Sequence, residues 1–263
     1  MTIMTELDEL IRLVEAQIPA NPNGPLAERS SLRLEKLLQK YFRSLEHAFP
    51  FSRLDALVNK YTESIESDAE KLVNPILSVT SGSFKTQLEG ELTTIYVEGQ
   101  AEMTSYGKSK MGVPKYYEGP PMRKAVSWAK TRGSQLVTEM DATTKKRLAG
   151  VISNGIQNKR GVPGIARDIR GTFSDMTKYR SELISKTETR NALFSASQAS
   201  MEDMGISGKE WVLGAGGLSG NCKDCIANAA QGIIPVSSSF ATPQGDIHPG
   251  CTCAIAPARL KKK

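Results

Sequence analysis

The sequence predicts a mainly α protein that closes with a small irregular module, and three observations carry that prediction. Apolar residues recur at intervals of three and four through most of the chain before Gly205, the period of helices that bury one face. After Gly205 the periodicity stops, and residues 214–250 are rich in Gly, Ser, Pro and Asn. All four cysteines fall between Cys222 and Cys253, with His248, one of only two histidines, inside the same stretch.

Leu7, Leu10, Ile11, Val14 and Ile18 form the first stripe, and residues 19–25 (PANPNGP) are expected to break it. Leu34, Leu37, Leu38, Tyr41, Phe42 and Leu45 form the second, with a start expected at Ser30 or Ser31 and Glu35 near the capping-box position. A third stripe runs through Leu54, Leu57, Val58, Tyr61 and Ile65, and a fourth, with Phe84, Leu88, Leu92, Ile95, Gly99 and Met103, spans about 83–110. Such faces bury against one another as a helical bundle. Residues 111–121 (MGVPKYYEGPP) read as a linker. Weaker stripes over 122–137 and 143–158 carry Lys and Arg on their outer faces. Gly161-Val162-Pro163 reads as a break and restart, with Ile165, Ile169 and Phe173 inward on a short helix. A longer helix is expected from about Asp175 to Met204, with Gly205 as its left-handed cap. Beyond it, 209–213 reads as a short strand, 214–217 as a Gly-rich turn and 251–256 as a second strand. The chain thus divides into an acidic helical region (1–112), a basic helical region (122–204) and a Cys/His module with a basic tail (205–263).

Composition narrows the class of protein. The 263 residues are 39% hydrophobic and 24% charged, ordinary globular values that exclude a collagenous or wholly disordered chain. No apolar run approaches the ~20 residues that cross a bilayer, and the first residues lack the basic and apolar regions of a secretory signal. A cytosolic protein, or one built into an assembly in the host cytoplasm, is expected, with no membrane partner. The net charge of +6 is unevenly spread. Residues 1–104 carry 10 Lys/Arg against 16 Asp/Glu, 105–170 carry 14 against 4, and 171–263 carry 10 against 8. Two faces of opposite sign suit different partners.

Cys222-Lys223-Asp224-Cys225 is a C-x2-C knuckle, and His248-Pro249-Gly250-Cys251-Thr252-Cys253 follows after a 22-residue loop. Zn²⁺ takes tetrahedral thiolate and imidazole ligands, commonly offered as two short groups from separate turns. Cys222, Cys225, His248, Cys251 and Cys253 offer five ligands for four places. Either both later cysteines join the first pair, or His248 and one of them complete the set. A redox C-x-x-C would need a thioredoxin-like strand-to-helix setting, which is absent from the pattern. Disulfides are the other alternative, and the expected compartment argues against them. A fully ligated site is structural. Some fifty residues this poor in large apolar side chains need such a staple.

The segment Ser185-Lys186-Thr187-Glu188-Thr189-Arg190-Asn191-Ala192, then Gly205-Ile206, Lys209-Glu210-Trp211, the C-x2-C and His248-Pro249-x-Cys251-x-Cys253 occur in one order. This set, over roughly 145–257, resembles the phage Mu F-like minor head (head morphogenesis) proteins. Two departures stand out: Ser219-Gly220-Asn221 replaces an Asp-x-Arg, and Thr252 replaces an Arg between the last cysteines. The resemblance implies a minor capsid component of a tailed-phage virion. It would associate with the portal and with capsid or scaffold proteins during procapsid assembly, and affect DNA packaging or ejection. Glu188, Arg190, Asn191 and Trp211 are the residues expected to dock the cysteine module; the plain alternative for the helical ones is a solvated face.

An alternative function is binding of the packaged genome. Lys108, Lys110, Arg123, Lys124, Lys145, Lys146, Arg147, Lys159 and Arg160 are dense enough to neutralise phosphates, and Tyr106, Tyr116, Tyr117 and Trp128 lie among them. The same cations suit an acidic protein partner. Enzymatic readings find little support. Glu89-Gly90-Glu91 has the form used by ADP-ribosyltransferases, but it lies in a helical stripe where residues two apart diverge. Gly214-Ala215-Gly216-Gly217 is followed by no lysine of a phosphate loop, and His47 is the sole histidine outside the cluster. No catalytic residue and no small-molecule substrate are expected.

Overall fold

A computed structural model of the chain describes residues 21–59, 65–114, 118–119, 121–214 and 220–260. The stripe from Leu7 to Ile18, Tyr61, Lys115, Tyr116, Tyr117, residues 215–217, Ser219 and the lysine tail 261–263 lie outside the described residues. The fold is mainly α, with a small three-stranded antiparallel sheet after the last long helix.

Helix α1 spans Gly24–Ala48, so it starts earlier than Ser30. Pro25 sits in the first turn, where its missing N–H has no partner to lose, so it opens the helix rather than breaking it. Asn21 organises this start: its Oδ1 accepts from the Asn23 amide at 2.9 Å. Ser30 is fully buried, an interior position rather than a cap. After a 3₁₀ turn at Phe51–Arg53, α2 covers Leu54–Val58. Helix α3 then runs unbroken over Ile65–Lys110, 46 residues, and so begins well before 83. Ala69, Val73, Ile76 and Leu77 are buried and continue the stripe upstream of Phe84. Pro75 lies inside α3 and costs one backbone hydrogen bond there, which this run of buried neighbours outweighs.

The linker expectation agrees with the end of α3 at Lys110 and the start of α4 (Met122–Gln157). The two stripes expected over 122–137 and 143–158 are one helix. Residues 138–142 hold no Pro or Gly, and Met140 keeps the buried face continuous. Helix α5 (Val162–Asp175) has Pro163 in its first turn and buries Ile165, Ile169 and Phe173. A π-helical turn at Met176–Arg180 leads into α6 (Ser181–Asp203). Gly205 adopts φ +67° behind α6, and the Ile206 amide donates to the Met201 carbonyl at 2.9 Å, a Schellman closure. Strand β1 (Gly208–Val212) lies between β2 (Ile234–Pro235) and β3 (Ala254–Ala258), with Trp211 opposite Ile255 and Lys209 opposite Ile234. Helix α7 (Lys223–Ala230) sits between β1 and β2 in sequence; neither α7 nor β2 is legible in the apolar pattern.

The chain groups into two compact units, each drawn from separated stretches. One gathers 32–92 and 126–185. Leu34, Leu38, Phe42, Leu45, Leu88, Met140, Leu148 and Phe173 are fully buried in it. Three of its helices meet at Asp141. The Tyr41 hydroxyl donates to Asp141 Oδ1 at 2.6 Å, and the Ser81 hydroxyl donates to Oδ2 at 2.7 Å. The Tyr41 ring stacks on Phe84 with centroids 4.0 Å apart. Burial first, then the Asp141 carboxylate, raises the Tyr41 phenol above its ordinary value, which keeps the proton available to donate. Arg180 donates to Thr144 Oγ1 at 2.9 Å; burial first, then Arg147, lowers it to about 10, so it remains a cation at neutral pH.

The second unit gathers 21–31 with the described residues of 93–125 and 186–260. Gly99 lets α3 approach α6: a Cβ there would lie 2.9 Å from Leu193 Cδ2 and 3.1 Å from Ala196 Cβ. Its core joins Met103, Phe194, Met201, Ile206, Trp211 and Ile255 to three of the four cysteines. Among the described residues no helix is long and apolar enough to cross a membrane.

Tyr41→Phe keeps the ring stack but leaves Asp141 with one donor fewer. It is expected to lower stability by about 1–2 kcal/mol, read as a lower urea midpoint with an unchanged slope.

Candidate metal centre

Cys222 precedes α7 as its N-cap, and its sulfur accepts from the Cys225 amide at 3.3 Å. The knuckle is therefore the first turn of a helix, where the free amides and the positive end of the dipole favour thiolate. Cys251 and Cys253 alternate with exposed Thr252 just before β3, so both turn inward. The amide of Cys253 donates to the Cys251 sulfur at 3.4 Å.

The two halves of the motif come together. Ligand atoms of Cys222, Cys225 and His248 lie within 4.8 Å of one another, and so do those of Cys225, Cys251 and Cys253. Cys225 belongs to both groups. Its sulfur stands 3.5 Å from that of Cys251, far beyond the ~2.05 Å of a disulfide, and all four cysteines are free. The cluster can hold a metal ion, which matches the expectation of a Cys/His site. Cys225, Cys251 and Cys253 are buried, Cys222 is half-buried and His248 is exposed. The His248 Nδ1 lies 2.9 Å from the Pro249 carbonyl. A carbonyl can only accept, so Nδ1 is the donor of this bond and Nε2 is the nitrogen left to meet a ligand.

The electrostatics suit a cation. Cys251 is lowered to about 5, first by its hydrogen bond with Cys253, and Arg190 adds to the effect. Burial first, then its sulfur neighbours, pushes Cys225 up to about 12, and Cys253 is raised chiefly by Cys251. Crowded sulfurs compete for charge: Cys251 favours the thiolate at the expense of Cys225 and Cys253. A divalent cation displaces the remaining protons and lets every sulfur ionise.

Polar groups around the sulfurs position them. The Gly214 amide donates to Cys253 Sγ at 3.4 Å, and Cys253 Sγ donates to Asn221 Oδ1 at 3.7 Å. Asn221 Nδ2 in turn donates to the Gly214 carbonyl at 3.3 Å. The Asn221 that replaces the Arg of the resembled pattern is thus part of the centre. Asn228, fully buried on α7, clamps the long loop: Nδ2 donates to the Thr242 carbonyl at 2.9 Å and Oδ1 accepts from the Thr242 amide at 3.0 Å. Sequence reasoning passed over Asn228, since a lone Asn in a polar stretch carries no signal.

The docking residues on α6 lie inward. Glu188 is 2% and Arg190 6% exposed, so these positions are not a solvated face. Arg190 Nη2 donates to Asn191 Oδ1 at 3.0 Å and to the Gln244 carbonyl at 3.3 Å, and Gln244 Nε2 donates to the Asn191 carbonyl at 3.4 Å. The Gly250 amide donates to Thr187 Oγ1 at 3.0 Å, a contact that the docking set omitted. Trp211 docks by packing: its ring lies 5.2 Å from both Phe194 and Phe240.

The basic residues fall in different places. Lys108 and Lys110 end α3, with Lys110 5.4 Å over the Tyr106 ring, and Arg123 and Lys124 are exposed at the start of α4. In the other unit, Lys146 and Arg147 are exposed on α4, while Lys145 pairs with Glu70 at 3.5 Å and Arg160 with Asp168 at 3.0 Å. Lys159 takes a left-handed conformation (φ 55°) that closes α4. Comparison with protein-family models, curated proteins and solved structures finds no match to this chain.

Gly214→Ala is expected to dislodge the centre, because a Cβ there would meet the Thr252 carbonyl group, with its carbon only 2.6 Å away. The Gly214 amide would leave Cys253, and metal affinity measured by competition with a chromophoric chelator should fall about 10–100-fold.

Proposed function

We propose that the cluster holds a structural zinc ion and that the chain is a minor head protein of a tailed phage. In this reading it is a non-catalytic component that engages the portal and its capsid or scaffold neighbours as the procapsid assembles. The observation that carries the reading is the joining of the resembled motif into one body. Thr187, Arg190 and Asn191 of the T-E-T…N-A helix bond to the loop that bears His248 and Cys251, while Trp211 and the later cysteines share one core. An ordered sequence pattern that folds around a single centre is what a dedicated module requires.

Zinc is favoured because the donors are thiolates with one imidazole at the rim, a soft set that suits tetrahedral d¹⁰ metal and disfavours magnesium or calcium. The four cysteines are the ligands in this reading, and His248 closes the exposed side. The role is structural because four sulfurs leave no open position for substrate or water. The genome-binding alternative draws less support, since Lys145 and Arg160 are engaged by carboxylates.

Purified protein is expected to contain one zinc per chain. Cys225→Ser should lose the metal and the cooperative melting of its unit, whereas His248→Ala should retain zinc. The cobalt-substituted protein should show the absorption of a four-sulfur site. Elemental analysis and thermal melts with and without chelator read these outcomes; a metal-free protein with an unchanged melt would contradict the zinc centre. For the head role, co-expression with a portal protein should give co-elution of chain and ring. Failure to associate with portal, together with salt-sensitive retention of DNA in a gel shift, would favour the genome-binding reading.

A further inference from the structure

A cleft of about 270 Å³ opens in the unit that carries the metal cluster, on a set of residues the cluster does not use. Three aromatic rings, Phe194, Trp211 and Phe240, line it together with Lys209, Gln198 and the serine run 237–239. Its construction follows from the secondary structure. Lys209 and Trp211 are two apart on β1 and so project from the same face of the sheet. Phe194 and Gln198 are four apart on α6 and face the cleft as neighbours.

Two buried donor side chains, Trp211 and Lys209, line this cleft. Trp211 is 5% exposed, and its Nε1–H has no hydrogen-bond partner among the described residues. Leaving such a donor buried and unpaired costs about 1–3 kcal/mol, which a ligand acceptor would recover. Lys209 is 7% exposed; its ammonium donates to Gln198 Oε1 at 2.8 Å and sits 5.7 Å from the Phe240 ring centroid. An ammonium has three N–H groups. Among the described residues no carboxylate bonds to it directly; Glu202, which accepts from the Gln198 amide at 2.6 Å, acts on the ammonium only through its charge. A cation without a direct carboxylate partner and an unpaired indole N–H therefore belong to buried side chains that line one aromatic-walled space.

We propose that this cleft binds a small organic carboxylate that carries one compact apolar group. A carboxylate offers two acceptor oxygens, one for the ammonium and one for the indole N–H, with a single negative charge that balances Lys209. The apolar group lies among the three rings, where burial of its surface supplies affinity. A phosphate brings more oxygens and charge than these two donors satisfy, and a neutral molecule leaves the ammonium without a directly bonded anion. The same chemistry is found in a free carboxylic acid and in the C-terminal residue of a peptide chain.

Calorimetric titration of the full, zinc-loaded chain tests this. Benzoate is the free-acid probe, and an acetylated tripeptide ending in Phe is the chain-end probe. Saturable 1:1 binding of either is expected; the tighter of the two assigns the source. The neutral isostere benzamide, or the tripeptide with an amidated end, should bind at least about tenfold more weakly, a comparison that needs no variant. Lys209→Gln should weaken the acid by a similar factor, and Trp211→Phe, which keeps a ring but removes the N–H, by several-fold. Three results would overturn the proposal: no saturable binding of either acid at about 10 mM, equal affinity for acid and amide, or inorganic phosphate binding as tightly as benzoate.

Discussion

The sulfur of Cys225 is the point on which the cysteine module depends. It lies in the first turn of α7, yet it reaches both the Cys222–His248 side and the Cys251–Cys253 side of the cluster. Around it, β1, β3, α7 and the long loop have few large apolar groups to exchange for order. Their own sheet is short, and β2 contributes only two residues. A gathered set of sulfurs substitutes a few strong directional bonds for the area that a core of this size lacks. The consequence is a module whose fold and whose ionisation are one problem: crowded thiols resist ionisation, and a cation resolves the conflict.

Helix α6 supplies the other half of that solution through polar as well as apolar burial. Ser185, Glu188, Thr189, Arg190, Ser197 and Ser200 are all buried, and Arg190 and the half-buried Thr187 bond to the loop that carries the ligands. Leu193, Phe194, Ala196 and Met201 are buried on the same helix, so burial surrounds it on several sides and leaves no single apolar stripe to read. Hydrogen bonds from Thr187 and Arg190 fix the loop in register as a hydrophobic contact could not, since each has a direction as well as a distance. The arrangement places a guanidinium beside Cys251, so the same residue that holds the loop favours the thiolate.

Much of the architecture was legible. The stripes through Leu34–Leu45 and Phe84–Met103, the inward face of Ile165, Ile169 and Phe173, the Gly205 cap and strands β1 and β3 all follow from period and punctuation. Boundaries were less so. Pro25 reads as a breaker when it opens α1, and the weak stripes either side of Thr138–Ala142 belong to a single helix. Both errors have one cause: a local signal has two meanings, and position within the helix decides which applies. At the site, the ligand types and their spacing were plain, whereas the roles of Asn221, Asn228, Thr187 and the Gly214 amide were not, because a hydrogen bond to a sulfur or to a distant loop leaves no period in the sequence.

By itself the sequence determined the fold class and the five residues of the cluster, because helical period and thiol spacing are local properties of the chain. Tertiary structure alone decided that Cys225 joins both ligand groups, that Arg190 lies buried against the ligand loop, and that Lys209 and Trp211 share a cleft. Those facts join residues tens of positions apart. Only the closure of the chain upon itself, with its short distances and its exclusion of water, brings them within bonding range.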